Sequence, residues 1–221
     1  MHLHSSYTSP YVRKVKIFLI ETGLSERVSE VYTNPADEQI LRPLNPLGKI
    51  PALETDEGIA LYDSTVICAY LDTQHDSPRL IPESGAGRWQ VLRMESLADG
   101  LADAANLRRN EALRTPESLI SREFIDRQDL AISHALLGLN REAVGWNAGE
   151  KMCHGQIATA AALGYIVFRY ETLPWRARCP DLAHWFERFS ARDSFRLTLP
   201  IDPPGRQVPP PQSVPPEWSV V

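Results

Sequence analysis

Three short runs hold residues able to bind a peptide and stabilise an anion. Ser9 precedes Pro10, the order of a cap and a first helical residue, which leaves a hydroxyl beside unpaired helix amides. Pro51 ends the run Asn45-Pro-Leu-Gly-Lys-Ile-Pro51 and opens a strand-like stretch, Ala52 to Thr55. A proline at the head of a strand has no N–H to give the sheet, and it accepts a cis bond that most residues do not. The main-chain N–H and C=O of Ile50 are then expected to face outward, free to pair with an extended ligand. Asp63 and Ser64 head an apolar-periodic helix and offer a carboxylate, a hydroxyl and helix-start amides. Such a corner suits a small peptide carrying both an ammonium and carboxylates. Each part also has an ordinary reading: Ser9 and Asp63-Ser64 as helix caps, Lys49 as a solvated loop lysine.

The elements around these runs set their positions. Residues 2–6 read as a short strand. Val12, Val15, Phe18 and Leu19 then repeat at helical spacing, with Arg13, Lys14 and Lys16 expected mostly outward and Gly23 ending the helix. Arg27 to Thr33 reads as a strand, and Asn34-Pro35 as the opening of a short helix that stops before Pro43. The hairpin follows: Ala52 to Thr55, the turn Asp56-Glu57-Gly58, and Ile59 to Tyr62. A helix runs from Ser64 to about His75. The β-α-β-α-β-β-α order predicts a compact α/β unit over residues 1–77, with helices on both sides of a small mixed sheet. Residues 76–87 are rich in Ser, Pro, Gly and Asp and read as a linker.

Residues 87–200 read as all-helical. Segments run over Arg88–Arg114, Glu117–Leu139, Cys153–Tyr170 and Pro180–Ala191, the last with a core-type stripe of Trp185, Phe186 and Phe189. The tail, 201–221, is set apart because 8 of the 18 prolines lie between Pro200 and Pro216, too many for a helix or inner strand.

Composition narrows the function. With 43% hydrophobic and 23% charged residues, the 221-residue chain is an ordinary globular one. Residues 1–77 carry 6 basic and 11 acidic side chains, residues 78–200 carry 16 and 15, and no segment forms a basic stripe. A nucleic-acid partner is therefore not expected. Cys68, Cys153 and Cys179 include no Cys-x-x-Cys pair, and the six histidines are scattered, so neither a metal nor a disulfide framework is expected. With no apolar run of spanning length and no leader, the expectation is a cytoplasmic protein without a membrane partner.

Ser6-Tyr-Thr-Ser-Pro-Tyr-Val-Arg-Lys-Val15, Asn45-Pro-Leu-Gly-Lys-Ile-Pro-Ala-Leu53 and Tyr62-Asp-Ser64, in this order and spacing, resemble the glutathione transferase superfamily in its bacterial form. The resemblance covers roughly residues 1–200. It implies a thioredoxin-like N-terminal domain followed by a transferase-type helical domain, commonly assembled as a homodimer. Glutathione would be the co-substrate. Ile50 would pair with its cysteinyl unit, Pro51 would hold that edge open, Asp63 and Ser64 would take the γ-glutamyl ammonium and carboxylate, and Lys49 would meet the glycyl carboxylate. A small hydrophobic electrophile, of the kind handled in detoxification, would sit between the loop after the first strand and the first long helix of the second half. Asn106, Arg108 and Arg109 are candidates there, and Arg13 for an anionic one.

Ser9 would be the catalytic residue. A free thiol ionises near ~8.5, and lowering that by two units takes about 2.7 kcal/mol of preference for the thiolate. A hydroxyl hydrogen bond to a charged group contributes roughly 1.5–3 kcal/mol. A helix N-terminus adds about 0.3–1 kcal/mol. One serine and the first amides of its helix are sufficient. Tyr7 and Thr8 are rivals, with Tyr7 ranked lower because strand alternation can turn its ring into the core. Serine forms no mixed disulfide, which points to conjugation, thiol-dependent isomerisation or peroxide reduction. Isomerising relatives carry Ser-Ser-Cys where this chain has Ser9-Pro10-Tyr11. A transferase-shaped module that binds glutathione or a protein without turnover is the alternative. The family's Ser or Thr cap and Asp three residues on are replaced here by Cys153 and Gln156, a weaker helix start.

Overall fold

The computed structural model describes residues 1–34, 36–146 and 152–202. Four strands form one sheet: β1 (His2–Ser5), β2 (Ser29–Tyr32), β3 (Ala52–Glu54) and β4 (Ala60–Leu61), in the order β2-β1-β3-β4. β1 is parallel to β2 and antiparallel to β3, and β3 is antiparallel to β4. α1 (Pro10–Glu21), α2 (Glu38–Leu44) and α3 (Ser64–Leu71) complete a thioredoxin-like domain. The helical region comprises α4 (Gly85–Ala112), α5 (Arg122–Ala143), α6 (His154–Arg169), α7 (Trp175–Arg178), α8 (Pro180–Ser190) and α9 (Asp193–Arg196). A single apolar core runs through both regions, from Leu3, Phe18, Leu53 and Ile67 to Leu101, Leu136, Ile157 and Trp185. The proline-rich residues 203–221 lie outside the described part.

Three local expectations need correction. α2 starts at Glu38, capped by Asp37, whose Oδ1 accepts from the Ile40 N–H at 3.3 Å, and it includes Pro43. So near a helix end a proline forfeits one N–H, while the Asn45 N–H still closes on the Leu41 carbonyl at 2.7 Å. α3 stops at Leu71 because the buried Asp72 carboxylate turns to accept the N–H groups of Leu80 and Ile81, each at 3.0 Å. α7 and α9, four residues each, are too short for a periodic signal.

The larger correction concerns α1. Arg13 and Lys14 are buried, with Lys14 only 1% exposed. An outward face was expected because one apolar stripe is enough for a helix packed on one side. α1 is packed on two, against α3 on one side and against α6 and α9 on the other. Charges on its second face are met by partners: Lys14 Nζ donates to Glu95 Oε1 at 3.0 Å and Asp99 Oδ2 at 2.7 Å, both on α4. The buried His154, first residue of α6, adds Nε2 to the same Glu95 oxygen at 2.9 Å. Arg13 lies with its guanidinium 3.8 Å over the Phe195 ring and donates to the Phe195 carbonyl at 3.0 Å. Burial without a carboxylate lowers its pKa to about 10. Gly164 of α6 faces it so closely that a Cβ there would fall 2.1 Å from Arg13 Nη1.

The cap positions expected for α6 hold Cys153 and Gln156, arranged as a capping box. Cys153 is its cap, and Gln156 Oε1 accepts the Cys153 N–H at 3.0 Å. A thiol is a poor acceptor for the amides ahead of it, so Cys153→Ser is expected to stabilise the protein by about 1 kcal/mol. A higher urea midpoint with unchanged slope is the measurement, and a lower midpoint rejects the capping argument.

Candidate functional site

The sheet registers bring the three sequence runs to one end. His4 pairs with Ala52 and Leu53 with Leu61. Carried two residues past the ladders, the same registers set Ser6 opposite Ile50 and Pro51 opposite Asp63. Ser9 follows from β1, Pro51 precedes β3 and Asp63 follows β4, so α1 and α3 both begin at this edge.

Ile50 lies outside the ladders, and no backbone hydrogen bond engages it among the described residues. It is half-buried, Pro51 is buried and Lys49 is exposed. The Ile50–Pro51 and Tyr62–Asp63 peptide bonds are both cis. Asn45 braces the run from within: Nδ2 donates to the Lys49 carbonyl at 2.9 Å, and Oδ1 accepts from the Leu47 N–H at 3.0 Å.

Ser9 caps α1, its Oγ accepting from the Val12 N–H at 3.3 Å. A hydroxyl that accepts in this way keeps its own proton for a second partner, so capping and anion binding are compatible. Asp63 caps α3, with Oδ1 accepting from the Thr65 N–H at 3.0 Å. Asp63 is exposed, while Ser64 is only 2% exposed at the helix's positive end. The two helix starts are joined through one carboxylate: Asp99 Oδ2 accepts from Lys14 of α1 and, at 3.3 Å, from the Thr65 hydroxyl of α3. Desolvation works against the Lys14 ammonium, but Asp99 and Glu95 outweigh it and raise its pKa.

Sequence reasoning missed this brace. Glu95 and Asp99 are four residues apart on one face of α4, a visible spacing, but only the docking of α1 shows what that face meets.

A cleft of about 200 Å³ opens beside Ser9. Its walls are residues 6–10, Arg13, Ala161, Tyr165 and the segment 197–201. Lys49, Ile50, Pro51, Asp63 and Ser64 do not line it. A strand edge with a helix start is an open rim rather than a cavity, and Ser9 is the site residue shared between rim and cleft. The cleft is walled by the loop after β1, α1, α6 and segment 197–201, and α4 does not line it. Arg108 is buried and paired with Asp129 of α5, and Asn106 Oδ1 accepts from the Tyr165 hydroxyl at 3.2 Å.

The tyrosines near Ser9 differ in availability. Tyr7 is 51% exposed and stacked on Tyr32 with ring centroids 4.7 Å apart, not turned into the core. The loop after β1 has left the strand's alternation by that point. Tyr11 donates its hydroxyl to Asp103, and burial together with that carboxylate raises its pKa. Its proton is already committed to that carboxylate, whereas Tyr7, Thr8 and Ser9 all line the cleft.

Among the described residues, no group of three or more His, Cys, Asp or Glu side chains is placed to hold a metal ion. No described helix is long and apolar enough to cross a membrane.

Comparison with known proteins gives concordant findings. The model of the glutathione S-transferase N-terminal domain matches residues 3–79. The uncharacterized GST-like protein YibF of Escherichia coli K12 is 35% identical over 202 residues, covering 90% of this chain and 98% of that protein. A glutathione transferase family member from Pseudomonas fluorescens Pf-5, solved with bound glutathione, is 41% identical. It superposes with a TM-score of 0.84 over 91% of this chain and 99% of its own. A glutathione S-transferase from Methylobacillus flagellatus KT, with glutathione bound, is 35% identical, with a TM-score of 0.84 over 90% and 99% of the two chains.

Proposed function

The chain belongs to the glutathione transferase superfamily, and we propose that it binds glutathione along the Ile50–Pro51 edge and activates its thiol through Ser9. The tripeptide's cysteinyl unit pairs with the main chain of Ile50, beside Pro51. Asp63 and Ser64 take the γ-glutamyl ammonium and carboxylate, and Lys49 meets the glycyl carboxylate. The observation that carries this reading is the meeting of two capped helix starts and an unpaired strand edge at one end of the sheet. The relatives from Pseudomonas and Methylobacillus hold glutathione on the same fold.

The reaction is attack of the thiolate on a small hydrophobic electrophile. Ser9 donates its O–H to the sulfur while its oxygen accepts from Val12, and the amides at the start of α1 add their partial positive charge. The electrophile occupies the cleft beside Ser9, against Tyr165 and the segment 197–201. A cytoplasmic homodimer engaged in detoxification accompanies this reading.

Calorimetric titration with glutathione, run beside conjugation assays on several electrophiles, tests it. Binding together with a conjugate of summed mass is expected. Binding without turnover on any electrophile supports a holding module instead, and a product lacking the tripeptide supports isomerisation. Asp63→Asn is expected to weaken glutathione binding about tenfold, through loss of a charge-assisted bond to the ammonium. Unchanged affinity by calorimetry removes Asp63 from the site.

A further inference from the structure

The segment after α8 runs back along α1 in the opposite direction, touching it at successive points. Arg192 donates to both Glu21 oxygens, at 2.8 and 2.7 Å, and the Ser194 hydroxyl joins them. About two turns of α1 further on, Phe195 O and Thr198 Oγ1 accept from Arg13, at 3.0 and 3.4 Å. The Ile201 N–H then donates to the Tyr7 carbonyl at 3.2 Å, two residues before Ser9. Glu21, Arg13 and Tyr7 are thus met in reverse order by 192, 195 and 201.

The next residue closes the run. Asp202 accepts from both terminal nitrogens of Arg169, the last residue of α6, at 3.1 and 3.0 Å. The pair is largely removed from water, with side-chain exposures of 8% for Arg169 and 17% for Asp202. The guanidinium is also fixed from one face, 3.8 Å over the Phe168 ring. A two-pronged, stacked and shielded pair holds a chain in one place far better than a single amide bond at a loop.

We propose that Arg169 and Asp202 are positioning residues for Ser9: their ion pair latches segment 197–202 onto Tyr7 and so fixes the loop bearing the serine hydroxyl. The inference rests on the reading of Ser9 as the thiolate's partner. Without the latch, the end of the segment beyond Thr198 is held to the loop by the Ile201–Tyr7 bond, and the loop's distance to the sulfur spreads. Glutathione affinity should change little, because Ile50, Asp63 and Ser64 lie on other elements.

Asp202→Asn keeps the shape and removes the charge. Two readouts are made on the full chain: hydrogen exchange of the amides from Tyr7 to Val12, and the pH at which bound glutathione ionises, followed by ultraviolet thiolate absorbance. Exchange is expected to rise about tenfold. The bound thiol's pKa is expected to rise by about half to one unit, with kcat/KM falling roughly 3- to 10-fold and the dissociation constant for glutathione staying within about twofold. The reversed pair, Arg169→Asp with Asp202→Arg, should restore most of both effects. Unchanged exchange in Asp202→Asn overturns the latch. Faster exchange with an unmoved thiol pKa overturns the positioning of Ser9. If the wild-type protein binds no glutathione, the functional reading falls, and the exchange data alone decide whether the latch exists.

Discussion

Ser9→Ala is expected to lower kcat/KM for conjugation roughly 10- to 150-fold, because a hydroxyl bond to a charged partner contributes about 1.5–3 kcal/mol. The same loss raises the pKa of enzyme-bound glutathione by about one to two units. The helix amides of α1 remain, so ionisation is shifted rather than abolished. The substitution also removes the cap on Val12 and costs about 1 kcal/mol of stability, which must be separated from the kinetic effect. Ser9→Thr separates them, since it keeps both the hydroxyl and a cap. Recovery of the thiol pKa in that variant, with calorimetric affinity for glutathione near wild type in both, identifies the hydroxyl as the thiolate's partner. An unchanged pH profile in Ser9→Ala would assign the thiolate to another group.

Glu95→Ala is expected to destabilise the fold by about 3 kcal/mol, the low end of the usual effect of removing one partner from a buried ion pair, because Lys14 keeps Asp99 while His154 loses its carboxylate. Glu95 is 2% exposed and serves both Lys14 and His154 across the seam between the two regions. Desolvation alone would raise its pKa, but the bond to His154 and the charge of Lys14 prevail and hold it at about 2, against an ordinary value of 4.5. An unfolded chain regains the ordinary value and takes up a proton first as pH falls. The contribution of Glu95 is therefore complete above about pH 4.5 and is lost progressively toward pH 2. Urea unfolding of wild type and Glu95→Ala across that range should converge as acidity increases. A stability difference under about 1 kcal/mol at neutral pH rules out the brace as a major contributor.

Much of the fold was legible because short-range chemistry dictates it. Ser9-Pro10 and Asp63-Ser64 are helix starts in the structure, and Pro51 does head β3. The resemblance carried the reading further, to the superfamily itself. What could not be read was the second face of α1, because burial of Arg13 and Lys14 depends on residues some 80 and 180 positions away. Segment 197–201, one wall of the cleft, escaped for the same reason: it has no periodic pattern, and its place is set by Tyr7, Arg13 and, through Asp202, Arg169. Tyr7 shows how local rules fail at a strand end. Alternation pointed it inward, and the turn out of β1 put it on Tyr32 instead.

The bare backbone at Gly164, pressed against the guanidinium of Arg13, has an evolutionary consequence. Recombination that splices the first half of one family member to the second half of another carries the arginine and its glycine on separate parental fragments. Hybrids that inherit the arginine opposite any larger residue will assemble poorly, whatever the merits of their individual halves. Exchange of domains among relatives is therefore constrained at this contact, and successful crossovers should keep the two positions from the same parent.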